Sequence, residues 1–564
     1  MLKQIRTPHD VAKLNKGELI ALSQEIREII IDAVEKNGGH LSSNLGVVEL
    51  TVALNYVFDQ ESDQIIFDVG HQCYAHKLLT GRVEEFISSL RVCGGLSGFP
   101  NISESKYDLF TVGHGGSTVS QGAGLAKARD IKGANHDVIS VIGDASFASG
   151  VSLEALNNAG ESKQIIILND NKMAISESVG GISRLLTKLR DGKASIGADF
   201  ASVSGFRYVG PIDGHDFDAL IPALIDAKQA KDTVLLHVVT QKGRGHDAAE
   251  ADPCTYHGVK PVGAVKPTTE DFSSAFGRIL TEFARRDDKI VAICPAMVDN
   301  TGLAGFAKAF PDRVIDVGIS EEHAVSYASG LSKGGCKPYL AIYSTFLQRS
   351  YDEILHDVVM QGLPVTFCVD RAGLVGEDGE THHGIFDLAM FESMPGVAVL
   401  SPSTVHEFEQ MMEFSLTYNK PLAIRYCKGT GLDMSANFEF GKWQVVSGDI
   451  GANKVVLSHG ASVLKECVSA ARDLENVAVI NCSTVSPLDE EMLLSLAQKE
   501  IFVYEDVVDT SCLGARIINF FASKNIKANV HNFNLGATFV PHGKISDLLK
   551  KCNLDAGSIK KELI

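Results

Sequence analysis

The sequence predicts an α/β protein of three doubly wound domains with mainly parallel sheets. Short apolar runs alternate with longer amphipathic stretches almost from end to end, the pattern of buried strands joined by helical crossovers. The runs fall into three blocks separated by two polar, glycine-containing stretches. A chain of 564 residues also exceeds what one core can hold.

In the first block the strands read QIIFDVG from Gln64, DVISVIGD from Asp137, KQIIILND from Lys163 and VLLHVVT from Val234. Between them, VELTVALNYVF from Val48 and TVSQGAGLAKARD from Thr118 read as helices. The second block reads KIVAICPA, RVIDVGIS, KPYLAIYS, LPVTFCVD, GVAVLSPS and PLAIRYC, and the third KVVLSHG, VAVINCS, EIFVYED and NVHNFNL. The first joint lies in EADPCTYHGVKPVGAVKPTTED, where prolines and glycines interrupt any helical period and predict a linker. The second lies in CKGTGLDMSANFEFGKW. The predicted domains are 1–262, 263–432 and 433–564.

Composition narrows the partners. Hydrophobic content of 45% and charged content of 22% are ordinary for a globular chain and exclude general disorder. A formal charge of −18 disfavours nucleic acid and anionic membrane, so an anionic substrate needs local cations. The 11 cysteines are scattered without a CxxC pair, which excludes a zinc ribbon and fits a reducing cytoplasm. MLKQIRTPHD has no apolar core of a signal peptide, and no apolar run reaches the roughly 18 residues of a membrane span. The expectation is a cytoplasmic protein acting on small molecules.

Two strand ends carry the chemistry. The second strand stops at Gly143-Asp144-Ala145 and the third at Asn169-Asp170-Asn171. In open α/β sheets ligands bind beyond the carboxyl ends of the strands. An Asp carboxylate, an Asn amide oxygen and a backbone carbonyl are hard donors that suit Mg²⁺ together with phosphate oxygens. Gly143 and Gly150 would let the backbone approach a diphosphate. Either strand end alone would be read as a helix cap or turn; the pair, one helix and one strand apart, favours a metal-diphosphate site.

That pair resembles the thiamin diphosphate signature, in which GDG is followed by NN or NDN. The strings GGHLSSNLGVVELTVALNYVF, DVGHQCYAHKLLTGR, GGLSGFPNISESKYD, YVGPIDGH, ISEEHAVSYASGL, AIYSTFLQRSYDEILHDV and DRAGLVGEDGETHHGIFD narrow the resemblance to the 1-deoxy-D-xylulose-5-phosphate synthase family, from about Pro8 onward. The resemblance implies a transketolase-like architecture: the thiamin diphosphate-binding fold twice, one for the diphosphate and one for the aminopyrimidine, plus a C-terminal transketolase-type domain. It implies thiamin diphosphate and Mg²⁺ as cofactors, and a homodimer. The implied reaction condenses pyruvate with D-glyceraldehyde 3-phosphate with loss of CO₂, serving isoprenoid, thiamin and pyridoxal synthesis.

Site residues then carry over by position. Asp144, Asn171 and the Met173 carbonyl would bind the metal. His71, His114, Gly143, Ala145, Ile175, Lys242 and Phe346 would line the cofactor, with Arg244 a competing neighbour for the role of Lys242. Glu321 would bind the aminopyrimidine, and a buried carboxyl there would have a raised pKa. Standing alone, Glu321 would be read as a surface charge, Phe346 and Ile175 as core. His40, His71 and His382 are the proton-transfer candidates; Tyr343, Arg349, Arg371, Asp378 and Lys428 complete the substrate side with His40 and His382.

Four departures from the family pattern surround this site. Ala145 replaces the last glycine of GDG. GHGGST, from Gly113, stands for a GHSSTS-like loop. Lys428, after Cys427, replaces a clamp arginine of an RYPRG-like turn and loses its planar fork. The stretch from Asn171 to Lys242 is a few dozen residues shorter than usual, which predicts a more open or differently gated site. They leave a second reading, a thiamin enzyme with another acceptor or donor, and a third, a silent binding paralogue. The intact Asp144, Asn171, Glu321, His40 and His382 oppose the third.

Overall fold

A computed structural model describes residues 1–5, 7–173, 178–194, 204–263 and 269–564. The chain divides into two compact units: Met1–Val265 with Gly318–Ser320, and Lys266–Val317 with Glu321–Ile564.

The first unit is built on five parallel strands: β1 (Gln64–Phe67), β2 (Val138–Gly143), β3 (Ile165–Asp170), β4 (Phe206–Asp213) and β5 (Thr233–Val239), in the order β1-β2-β3-β5-β4. Ile165 and Ile167 point into one apolar cluster, Ile166 and Leu168 into another. A strand buried on both faces reads as a continuous apolar run, which is why β3 is visible in the sequence. β4 is not visible. Gly210-Pro211 interrupts it, the register shifts between Val209 and Ile212, and it lies at the sheet edge, where a missing donor is tolerated.

The second unit holds two sheets. One contains β6 (Ile290–Cys294), β7 (Val314–Asp316), β8 (Lys337–Tyr343), β9 (Thr366–Asp370), β10 (Ala398–Leu400) and β11 (Leu422–Arg425). The other contains β12 (Gln444–Ser447), β13 (Lys454–Ser458), β14 (Val477–Asn481), β16 (Glu500–Tyr504) and β17 (Asn529–Phe533), ordered β12-β14-β13-β16-β17. β12 is antiparallel and the rest parallel. The remaining strand, β15 (Thr484–Ser486), crosses from the third sequence block to pair antiparallel with β10, completing the order β15-β10-β11-β9-β8-β6-β7. Three mainly parallel α/β sheets are what the alternation predicts; β12 is half-buried along its length and β15 is an antiparallel edge strand, so neither forms the fully buried apolar run that marks β3.

Candidate active site

The carboxyl ends of β2, β3 and β5 lie level, because Gly143 pairs with Asn169 and Asp170 with Val239. Asp144, Asn171 and Thr240 therefore leave the sheet together. Asp144 is buried at the start of the short helix Asp144–Phe147. Its Oδ2 accepts the Ser178 hydroxyl at 2.9 Å. Its Oδ1 is buried and has no hydrogen-bond partner among the described residues. A buried carboxylate oxygen left this way is costly unless a cation or donor completes it. Burial and the nearby Asp170 charge raise the Asp144 pKa, with Ser178 and Lys242 opposing. Burial in turn lowers the pKa of the buried Lys242, with Asp144 opposing.

Asn171 Oδ1 accepts the Met173 amide at 3.2 Å, across Lys172 at φ +71°. An amide oxygen has a second lone pair for a cation. Among the described residues no three His, Cys, Asp or Glu side chains gather as a metal site. A cation here would depend on the Asp144 carboxylate with amide and carbonyl oxygens, the donor set Mg²⁺ prefers. Ala145 is the second residue of a right-handed helical turn, so this backbone needs no glycine there. Ile175 lies outside the described residues.

The middle residue of the triplet has another task. Asp170 is fully buried and accepts from Arg190 Nη1 at 2.6 Å, His237 Nε2 at 2.8 Å and the Lys172 amide at 3.1 Å. Burial would raise its pKa, but the His237 and Arg190 bonds win and lower it. Arg190 ends the helix Gly180–Arg190, so the shortened stretch is tied to β3 here.

A cavity of about 580 Å³ opens at these strand ends, lined by Asn171, Met173, His215, Thr240 and Lys242. Behind it, Arg27 pairs with Glu49 at 2.7 Å and Glu49 with His215 Nδ1 at 3.0 Å. His215 Nε2 accepts the Gln241 amide at 2.9 Å, one residue before Lys242. Burial would raise the Glu49 carboxyl, but His215 and Arg27 hold it at about 2. Of the two cations in this turn, Lys242 is buried and close to Asp144, whereas Arg244 is exposed, which favours Lys242 for the cofactor side.

Three imidazoles meet elsewhere in the first unit. His40 and His71 lie with ring centroids 6.0 Å apart, and their carbonyls both accept from Asn44 Nδ2, at 2.7 and 2.8 Å. The third is His257, 5.5 Å from each ring and 3.2 Å from Ser43 Oγ through Nδ1. Burial, with the charges of His40 and Lys242, holds the His71 pKa well below its ordinary value. His257 lies in the stretch read as linker. That reading fails for its first half: Gly39 and Val259 exchange backbone bonds at 2.9 and 2.8 Å, and Ser42 donates to the Tyr256 carbonyl at 2.9 Å. The only sequence signal was a Tyr-His-Gly step among prolines.

His114 is half-buried in a loop held from below by Asp68, whose two oxygens each accept the Gly116 amide at 2.9 Å. A β-carbon on Gly115 would fall 2.5 Å from Ser146 Oγ, and one on Gly116, at φ +97°, 2.2 Å from Ser149 Oγ. The GHGGST departure thus has a local cause. The hydroxyls missing from this loop stand instead on the neighbouring turn.

In the second unit, Glu321 opens the helix Glu321–Lys333. It is 5% exposed, and its Oε2 has no hydrogen-bond partner among the described residues, with Arg349 Nη1 at 3.9 Å. Burial pushes this carboxyl up to about 7 against the pull of Arg349. At the ends of β8 and β9, Tyr343 stacks on Phe346 at 5.7 Å, and His382 meets Phe346 edge-on at 5.8 Å. Arg371 lies over the Tyr343 ring at 4.4 Å and bonds Asp370 and Ser273. Asp378 is half-buried on the same loop as His382, and the exposed Lys428 donates to the Val375 carbonyl at 3.0 Å with Glu377 3.6 Å away.

Residues 2–200 and 193–240 match the family model described as 1-deoxy-D-xylulose-5-phosphate synthase, 269–431 the transketolase pyrimidine binding domain, and 441–559 the transketolase C-terminal domain. The 1-deoxy-D-xylulose-5-phosphate synthase of Clostridium kluyveri is 42% identical over 616 aligned positions that cover 100% of this chain and 98% of that one. The chain belongs to the 1-deoxy-D-xylulose-5-phosphate synthase family. The synthase of Caldanaerobacter subterraneus is 41% identical over 617 positions, covering 100% of this chain and 99% of its own. The transketolase structure from Campylobacter jejuni covers 98% of this chain and 100% of its own at 17% identity and a TM-score of 0.47.

For a 1-deoxy-D-xylulose-5-phosphate synthase family member this chain is short. The alignment to the Clostridium kluyveri relative is longer than its 564 residues. The two pieces of the N-terminal family match meet at 193–200, inside the stretch predicted to be short.

Proposed function

We propose that the chain is a thiamin diphosphate- and Mg²⁺-dependent 1-deoxy-D-xylulose-5-phosphate synthase, condensing pyruvate with D-glyceraldehyde 3-phosphate with loss of CO₂, as a cytoplasmic homodimer. The observation that carries this is a pair of buried carboxyl groups, Asp144 and Glu321, each with one oxygen lacking a partner among the described residues. The family resemblance assigns Asp144 to the metal and Glu321 to the aminopyrimidine.

Asp144, Asn171 and the Met173 carbonyl would hold the cation, and Lys242 would balance diphosphate charge. Glu321 and Phe346 would hold the aminopyrimidine. Bound thiamin diphosphate supplies a nucleophilic carbon and an electron sink for decarboxylation. Glu321, raised to about 7, can keep or release a proton at Oε2 near neutral pH. His71 would act as a neutral imidazole whose Nε2 accepts from the Gln72 side-chain amide, leaving its hydrogen on Nδ1 to be passed beside His40 and His257. Arg349, Arg371 and Lys428 would offer positive charge to the acceptor's phosphate, with Tyr343, Asp378 and His382 orienting its polar groups.

Lys428 favours one alternative, a different acceptor, because its ammonium is shared with Val375 and Glu377. The deciding assay supplies pyruvate, thiamin diphosphate and Mg²⁺ with a panel of aldehydes. Product with D-glyceraldehyde 3-phosphate supports the proposal; turnover only with another aldehyde favours the alternative; no CO₂ release with any of them defeats both.

A further inference from the structure

The loop 371–385 carries Arg371, Asp378 and His382, yet much of its shape is set by the block of the third sheet. Gly373 and Gly384 close its base by exchanging backbone bonds at 2.7 and 2.8 Å. Beyond the base, the Leu374 amide donates to Asp506 Oδ2 at 3.2 Å, just past β16. The Gly543 amide donates to the Gly376 carbonyl at 3.3 Å. Gly373 has φ +77°, and a β-carbon there would fall 2.2 Å from Asp506 Oδ2, so backbone and carboxylate meet without a side chain between them.

His383 joins the two sides. It is 1% exposed. Its Nδ1 faces the Val375 amide at 3.1 Å and its Nε2 the Pro541 carbonyl at 3.2 Å. An amide can only donate and a carbonyl can only accept, so both contacts are made only by a neutral ring with its hydrogen on Nε2.

We propose that His383 is a positioning residue whose neutral, Nε2-protonated ring pins loop 371–385 to the Pro541–Gly543 turn and so holds Asp378 and His382 toward the substrate. The substrate part rests on the function proposed above; the pin does not. A second proton would have to sit on Nδ1, against the Val375 amide, and would undo the pin. Burial disfavours that proton, and so does the charge of Lys428; the Pro541 and Val540 carbonyls and Asp378 favour it, with a net lowering of the pKa. An opened loop would bind the proton that the pinned one refuses. The pin is therefore whole above about 6.5 and is lost as pH falls through the lowered value.

The test uses the full chain, hydrogen exchange of residues 371–385 and kinetics with pyruvate and D-glyceraldehyde 3-phosphate. His383→Phe keeps a flat ring and loses both bonds; His383→Gln offers one acceptor and one donor and does not titrate. We expect His383→Phe to raise exchange and KM about tenfold each with kcat within about threefold, the scale of one or two lost hydrogen bonds. His383→Gln should recover both and lose the loosening of the wild-type loop below pH 6.5. Unchanged exchange in His383→Phe overturns the pin, and raised exchange with unchanged KM overturns its role in positioning. If His383→Phe does not fold, His383→Gln decides: pH-independent exchange supports the pin, and loosening in acid like that of the wild type overturns it. A wild type inactive with these substrates, whose loop still loosens in the Phe variant and not in the Gln variant, would sink the function proposed above and leave the pin standing.

Discussion

Arg349 Nη1 stands 3.9 Å from Glu321 Oε2, near enough to attract the carboxylate and too far to bond it. Burial therefore outweighs the attraction, and the carboxyl sits near 7. A folded pKa raised from the ordinary 4.5 gives stability that is complete below 4.5 and lost as pH rises through about 7. Glu321→Gln should abolish turnover. It should also stabilise the fold relative to wild type by about 3 kcal/mol more at pH 8 than at pH 5. Denaturant midpoints at the two pH values measure this, and an equal difference at both would mean that the carboxyl is not held uncharged.

Asp144→Asn removes the anionic donor while keeping the shape. Mg²⁺-dependent binding of thiamin diphosphate should weaken by about a hundredfold or more by titration calorimetry, since even a partner that only orients a metal ligand is typically worth about 10–100-fold. The melting temperature without ligands should not fall, because a buried carboxylate beside Asp170 is relieved. Retained binding would remove Asp144 from the metal site.

The glycine pair in the GHGGST loop predicts a reciprocal exchange. Gly115→Ser alone should cost about 1–3 kcal/mol by crowding Ser146. Adding Ser146→Gly should return most of that in urea unfolding. Simple additivity of the two changes would show that the hydroxyl does not occupy the space.

Arg190→Met leaves Asp170 buried with His237 as its remaining side-chain partner. The expected loss is about 3 kcal/mol, the usual scale for breaking a buried pair. Exchange along Gly180–Arg190 should accelerate with it. Protection unchanged in that helix would mean that it is held elsewhere.

His257→Ala should lower kcat/KM by about ten- to a hundredfold, a typical range for a proton-handling side chain. It should shift the melting temperature little, because the ring is half-exposed. Full activity would leave the proton traffic to His40 and His71.

The strands most readable in the sequence are those buried on both faces, as β3 is, where apolar residues run without interruption. Asp144 and Asn171 were readable because each ends such a run. β4 was hidden by its proline, and β15 by being an antiparallel edge strand with its partner in another block. The roles of His257, Asp68 and His383 depend on contacts across long stretches of chain: Gly39 with Val259, Asp68 with Gly116, His383 with Pro541. No local pattern encodes such meetings. The reason for Gly115 and Gly116 became visible only when Ser146 and Ser149 were found opposite them.

β15 closes the flank of β10, though it is encoded well beyond residue 432. A chain stopped at that point would present a naked strand margin, ready to recruit a stranger. Gene fusions, domain swaps and truncations should therefore treat everything after the first unit as indivisible, and a hybrid that imports the middle block must import Thr484–Ser486 along with it.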